Sequence, residues 1–137
     1  MAIHAATHHD VDVVGVTISD EQAAYARRRV AELGLGDRVE IRVQDYRAVA
    51  DGPYDAISSV GMAEHVGHSR MARDFETLYG LLRPGGRLLN HAISSVGGSK
   101  LAARGFLNRY VFPDGELLGP GHIISTMHDH GFELQHE

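Results

Sequence analysis

Strand-like and helix-like stretches that alternate along the chain predict an α/β protein, a mostly parallel sheet with flanking helices. Three observations carry that prediction. Short β-branched or alternating runs recur at residues 11–17, 39–43, 54–60 and 87–94. Stretches with apolar residues at helical spacing lie between them. Glycine or proline stands where a helix or strand has to stop.

The elements follow in order. VDVVGVT, residues 11–17, is short and β-branched and forms the first strand. A helix follows over residues 19–33, where Ala23, Ala26, Val30 and Leu33 share a face and Gly34 marks the end. VEIRV, residues 39–43, is the second strand, and YDAISSV, residues 54–60, the third. Met71, Phe75, Leu78 and Leu82 define one face of a second helix that ends before RPGG, residues 83–86. A tight turn through residues 84–86 leads into the fourth strand, RLLNHAIS, residues 87–94. A short helix over residues 123–130 is closed by Gly131, and residues 132–136 begin another strand.

The chain's 137 residues are enough for one domain with a core and too few for two, and no repeat or low-complexity tract divides them. At 43% hydrophobic and 23% charged residues the composition is that of an ordinary globular protein. No apolar run approaches the roughly 20 residues that span a bilayer. The absence of cysteine excludes disulfides, thiolate metal sites and a Cys nucleophile, and fits a cytoplasmic location. A net charge of −5 supplies no basic field for nucleic acid.

In a Rossmann-like layer, ligands bind at the carboxyl ends of the strands. That rule directs attention to Thr17, Asp45, residues 61–64 and residues 91–94. In GVTISDEQ, residues 15–22, Ser19 and Gln22 form a capping box; equally, Thr17 and Gln22 stand where a ribose would lie. In VQDYR, residues 43–47, Asp45 can accept a hydrogen bond from an adenine amino group with Tyr46 against the ring, or it can simply close an Asx-type turn. In GMAEHVGH, residues 61–68, His65 and His68 are three apart but lack the H-E-x-x-H order, and Gly67 weakens any helix holding both. No metal site is predicted there, and Glu64 suits an acid/base or ion-holding role. His91, in an otherwise apolar strand, is either a satisfied core polar group or part of a site beside Glu64. RYVFPDGELLGPG, residues 109–121, lines a substrate channel or covers the sheet. The doublets His8–His9 and His128/His130 read as solvated helix ends.

Together, GVTISDEQ, QDYR, SVGMAEHVGH, LLRPGGRLLNHAIS and FPDGELL resemble, in order and spacing, the cyclopropane-fatty-acyl-phospholipid synthase family, which includes the mycolic acid cyclopropane synthases. Ala63 is a departure, because a Phe is usual in the family's Glu–His motif. The resemblance implies a Rossmann-like methyltransferase fold. It also implies S-adenosylmethionine-dependent methyl transfer to a cis double bond of a phospholipid acyl chain, followed by proton loss and ring closure to a cyclopropane. By motif position, Thr17, Ile18 and Gln22 would contact the cofactor's ribose and methionine side, and Asp45 and Tyr46 its adenine. Glu64, His91 and the backbone at Ile93 would hold a bicarbonate ion that acts as the base. The implied setting is cytoplasmic, with transient peripheral contact at the inner face of the membrane and no nucleic acid.

Set against the family pattern, residues 1–137 form a single partial methyltransferase catalytic domain, truncated at both ends. MAIHAATHHD resembles the helix that follows the family's glycine-rich cofactor loop, so the first strand and that loop have no counterpart. After GFELQHE the later strands have none. A parallel sheet lacking its first strand leaves two edges unpaired, which favours a homodimer. The alternative expectation is a catalytically inactive fragment that acts only through self- or partner association.

Overall fold

The structure is a computed structural model that describes residues 1–95 and 116–136. Its contacts divide into two units, Met1–Ala50 and Asp51–Glu137, each built on a two-stranded parallel sheet.

The first unit runs α1 (Ala2–His8), β1 (Val13–Thr17), α2 (Asp20–Glu32), β2 (Val39–Val43) and a 3-10 turn, Tyr46–Ala48. MAIHAATHHD is thus helical at its start. β1 and β2 pair from Val13 opposite Val39 to Thr17 opposite Val43, and the Gln44 N–H extends the ladder by donating to the Thr17 carbonyl at 2.9 Å. The predicted helical face holds at Ala23 and Val30, which are buried, whereas Leu33 is the C-cap of α2 and half exposed. Val30 packs with Ala6 and Val39, flanked by Ile3, Val13, Leu35 and Ile41. This small apolar centre fixes the direction in which β1 delivers its carboxyl end. Arg27 adds a polar tie from α2 to β2, its guanidinium donating twice to the Ile41 carbonyl at 2.9 and 2.8 Å.

The second unit runs β3 (Tyr54–Val60), α3 (Ala63–Val66), α4 (His68–Gly80), β4 (Leu82–His91) and α5 (Pro120–Asp129). Met71, Phe75 and Leu78 recur at helical spacing on α4 and are all buried, together with Val66, Leu118 and Ile123. Phe132 meets Phe75 and Tyr79 edge-on, with ring centroids 6.1 and 5.3 Å apart. β3 and β4 pair in parallel up to Val60 opposite His91, and the Gly61 N–H donates to the His91 carbonyl at 2.9 Å. The strand ends that carry the predicted site are therefore held side by side.

Several expectations change. Leu82 does not belong to the helix face; it opens β4, opposite Tyr54. RPGG is not a turn before the strand but an irregularity inside it, since the register jumps from Tyr54 opposite Leu82 to Ala56 opposite Arg87. Proline and two glycines look like a turn, yet here they let extra residues loop out while the ladder continues. Gly85 has φ +76, and a Cβ on Gly86 would lie 2.9 Å from the Arg83 carbonyl oxygen, so side chains are excluded at both places. Residues 132–136 form no strand among the described residues. The His130 ring is not simply solvated, because its Nδ1 lies 2.8 Å from the Thr126 carbonyl oxygen. Of the loop at residues 109–121, residues 109–115 lie outside the described residues.

Candidate active site

In the first unit, Thr17 ends β1 and its hydroxyl organises the turn into α2. It donates to Gln22 Oε1 at 2.9 Å and accepts from the Ser19 N–H at 3.2 Å. Half of the predicted capping box forms, with the Gln22 N–H donating to Ser19 Oγ at 3.2 Å. The reciprocal half does not, because Thr17 takes both the Ser19 amide and the Gln22 side chain. The Glu21 carboxyl is held below its usual range by its own backbone N–H and by the Ser19 hydroxyl. Thr17 and Gln22 are thereby fixed in one mutual geometry at a strand end, and the Ile18 side chain beside them is 80% exposed.

At the end of β2, Asp45 caps the 3-10 turn. Its Oδ1 accepts from the Arg47 N–H at 2.9 Å, and both carboxylate oxygens accept from the Arg47 guanidinium. The Asx-type closure is present, then, and Tyr46 stands half-buried directly after it. The Arg47 guanidinium first, and the Arg47 amide second, lower the Asp45 pKa to about 2. A pKa depressed on folding contributes stability above the unfolded value, and that contribution is lost as pH falls through about 2. Replacing Arg47 with Ala is expected to return the Asp45 pKa toward about 3.9. Carboxyl carbon NMR checks this; an Asp45 still titrating near 2 in the variant would contradict the assignment to Arg47.

In the second unit the decisive group is Glu64. Its side chain is 2% exposed, on the four-residue α3 just past the end of β3. Oε1 accepts from the Ile93 N–H at 2.6 Å. Oε2 is buried and has no hydrogen-bond partner among the described residues. A buried carboxylate oxygen without a donor is costly to hold, so it marks a place where a ligand O–H or N–H is wanted. His91, the last residue of β4, uses its carbonyl to anchor Gly61 and leaves its side chain exposed. Glu64 and His91 share no hydrogen bond among the described residues. Glu64 and the Ile93 backbone, expected to share a bicarbonate ion, bond directly to each other. His65 belongs to α3 and His68 opens α4, with Gly67 between them at φ 72. The His68 ring stacks on His122, centroids 4.2 Å apart. Ala63 is buried beside Glu64.

Sequence reasoning missed Glu116. Its N–H donates to the Glu64 carbonyl at 3.1 Å and its Oε2 accepts from the His68 N–H at 2.8 Å. Nothing local signals these contacts, because the partners are 52 and 48 residues apart along the chain (116 − 64 and 116 − 68).

Parallel strands flanked by helices make each unit an α/β layer of the Rossmann-like kind. The cyclopropane synthase MmaA2 from Mycobacterium tuberculosis superposes with a TM-score of 0.84 at 28% identity, over 98% of this chain and 51% of that one. The mycolic acid cyclopropane synthase CmaA1, solved with SAH and CTAB, gives 0.82 at 27% identity, over 98% and 51%. The chain belongs to the mycolic acid cyclopropane synthetase family, whose model matches residues 1–137. A probable fatty acid methyltransferase of Mycobacterium tuberculosis is 42% identical over 136 residues, 98% of this chain and 32% of that protein. The cyclopropane-fatty-acyl-phospholipid synthase of Escherichia coli K12 is 38% identical over 130 residues, 95% and 32%. The chain spans about a third of the length of these two curated relatives.

Proposed function

We propose that the chain supplies catalytic elements of an S-adenosylmethionine-dependent lipid methyltransferase that acts on a cis double bond of a phospholipid acyl chain and closes a cyclopropane ring. The observation that carries this reading is Glu64, a buried carboxylate with one oxygen on the Ile93 amide and the other without a donor among the described residues. In the first unit, Thr17, Ile18 and Gln22 would hold the ribose and methionine side of the cofactor. Asp45, with an acceptor set already turned toward donors, would take the adenine amino group, and Tyr46 would pack on the ring.

When bound, S-adenosylmethionine supplies an electrophilic methyl group and bicarbonate a weak base. Transfer of that methyl group to the double bond and closure of the ring would need the base to be held where the proton leaves, and that is the part this chain's residues would play. Glu64 suits the holding of bicarbonate because Oε2 can accept from that ion's hydroxyl, while the His91 ring can donate to its oxygens. Excluding water from the cation is the other requirement, and burial of Glu64 serves it. Acyl substrate would reach the protein by transient contact with the cytoplasmic face of a membrane. No helix among the described residues is long and apolar enough to cross one.

Titration calorimetry with S-adenosylmethionine tests the reading. The chain is expected to bind, and Asp45→Ala to weaken binding about tenfold, or ~1.4 kcal/mol. A chain with no measurable heat of binding would remove the cofactor roles given to Thr17, Gln22 and Asp45.

A further inference from the structure

We infer that Glu116 is a positioning residue for Glu64, clamping the corner between α3 and α4 on which Glu64 stands; this rests on the reading of Glu64 as the holder of the base. Gly67 is the N-cap of the 13-residue α4, with φ 72 and ψ 167, and it has no side chain with which to cap the helix. The cap comes instead from Glu116, whose Oε2 accepts the His68 N–H at 2.8 Å. A carboxylate there satisfies one of the helix's unpaired first-turn donors and meets the positive end of its dipole. A Cβ at position 67 would lie 3.2 Å from that same oxygen and would sit at a φ of +72, so glycine leaves the carboxylate its place without strain.

The clamp has a second half. The Glu116 N–H donates to the Glu64 carbonyl at 3.1 Å, and two residues on, the Leu118 carbonyl accepts from the Ser95 N–H at 3.1 Å. Ser95 lies two residues beyond Ile93, whose N–H is the donor to Glu64 Oε1. Residues 116–118 therefore grip both sides of the Glu64–Ile93 contact, the helix corner on one side and the tail of β4 on the other. With the backbone of Glu64 held, its carboxylate keeps Oε1 on Ile93 and Oε2 directed elsewhere. Glu116 touches neither cofactor nor substrate in this scheme; it acts through Glu64.

Amide hydrogen exchange and the amide proton shift of Ile93 in the isotopically labelled chain test the clamp. Glu116→Ala is expected to speed Ile93 exchange by at least about tenfold and to move its proton upfield, with the β3–β4 ladder amides unchanged. Glu116→Gln keeps a carbonyl acceptor for His68 and is expected to match the parent. Should Glu116→Ala fail to fold, His68→Pro removes the donor at a helix position that tolerates proline, and is expected to release Ile93 equally. His68→Ala, which loses the ring stack but keeps the N–H, is expected to leave Ile93 as it was. An Ile93 amide unmoved in folded Glu116→Ala or His68→Pro protein overturns the inference. These readouts need neither cofactor nor turnover. A chain that binds no S-adenosylmethionine would thus refute the proposed function and leave this test standing.

Discussion

On the proposed function, Glu64→Gln is expected to lower methyl-transfer turnover by roughly 10²–10³-fold while leaving the unfolding temperature close to that of the parent. The two halves of that expectation come from the two oxygens. Oε1 accepts the Ile93 N–H at 2.6 Å, and a glutamine carbonyl can do the same, so the corner of α3 keeps its tie to β4. Oε2 is the buried atom without a donor among the described residues, and glutamine puts an NH₂ group there. On the proposed function, a donor in place of that acceptor would not receive the hydroxyl of bicarbonate, and the base would be lost from the site. Glu64→Ala behaves differently, since it also strands the Ile93 N–H. That adds a stability loss of about 1–3 kcal/mol. Turnover on a cis-unsaturated phospholipid with added bicarbonate, measured beside thermal unfolding, distinguishes the two variants. Parent-like turnover in Glu64→Gln would remove Glu64 from the chemistry.

Legibility in the sequence tracks how local each cause is. β2 and β3 fall on the predicted residues because β-branched runs and bounding turn residues are self-contained signals. α2 is equally readable, as Ser19 caps it and Ala23 and Val30 mark its inner face. The sequence predicts a later start for β4 because Arg83–Pro84–Gly85–Gly86 carries a strong turn signature, and only the partner strand shows that Leu82 already belongs to the ladder. α3 has four residues, too few to display a period, and its place is set by contacts that arrive from Ile93 and Glu116. The strand-end rule points to Thr17, Asp45 and Glu64, and the structure sets each at or just past the end of a strand. What it could not convey is that the Ile93 amide is bonded by Glu64 itself.

The same logic explains why Asp45 and Glu64 differ as carboxylates. Asp45 is half-buried and held by Arg47, a residue two positions on, so its environment is written in adjacent sequence. Glu64 is buried and is met by residues far along the chain, so its environment is a product of the fold. An incoming ligand competes with Arg47 at the first and finds an unused oxygen at the second.

Phe75→Ala is expected to be the most destabilising single change in the second unit, at about 3–5 kcal/mol. Phe75 is 1% exposed on α4, flanked by the fully buried Met71 and met edge-on by Phe132. Removing the ring costs its transfer from water and leaves a cavity, and the neighbours can close that cavity only in part. For a unit of this size the unfolding temperature should drop by more than ~10 °C. Glu76→Ala, one residue on and facing solvent, should move stability by no more than about 0.5 kcal/mol and serves as the control on the same helix. Differential scanning calorimetry reads both. The comparison with Glu64→Gln is what gives the measurement its force. Glu64 and Phe75 are both buried in the second unit, but Glu64 Oε2 has no hydrogen-bond partner among the described residues, whereas the Phe75 ring is 1% exposed and met edge-on by Phe132. Phe75→Ala at temperatures where it remains folded should therefore keep turnover, while Glu64→Gln should lose it at full stability. If Phe75→Ala unfolded no earlier than Glu76→Ala, the core would not be centred on α4, and the corner that carries Glu64 would need another support.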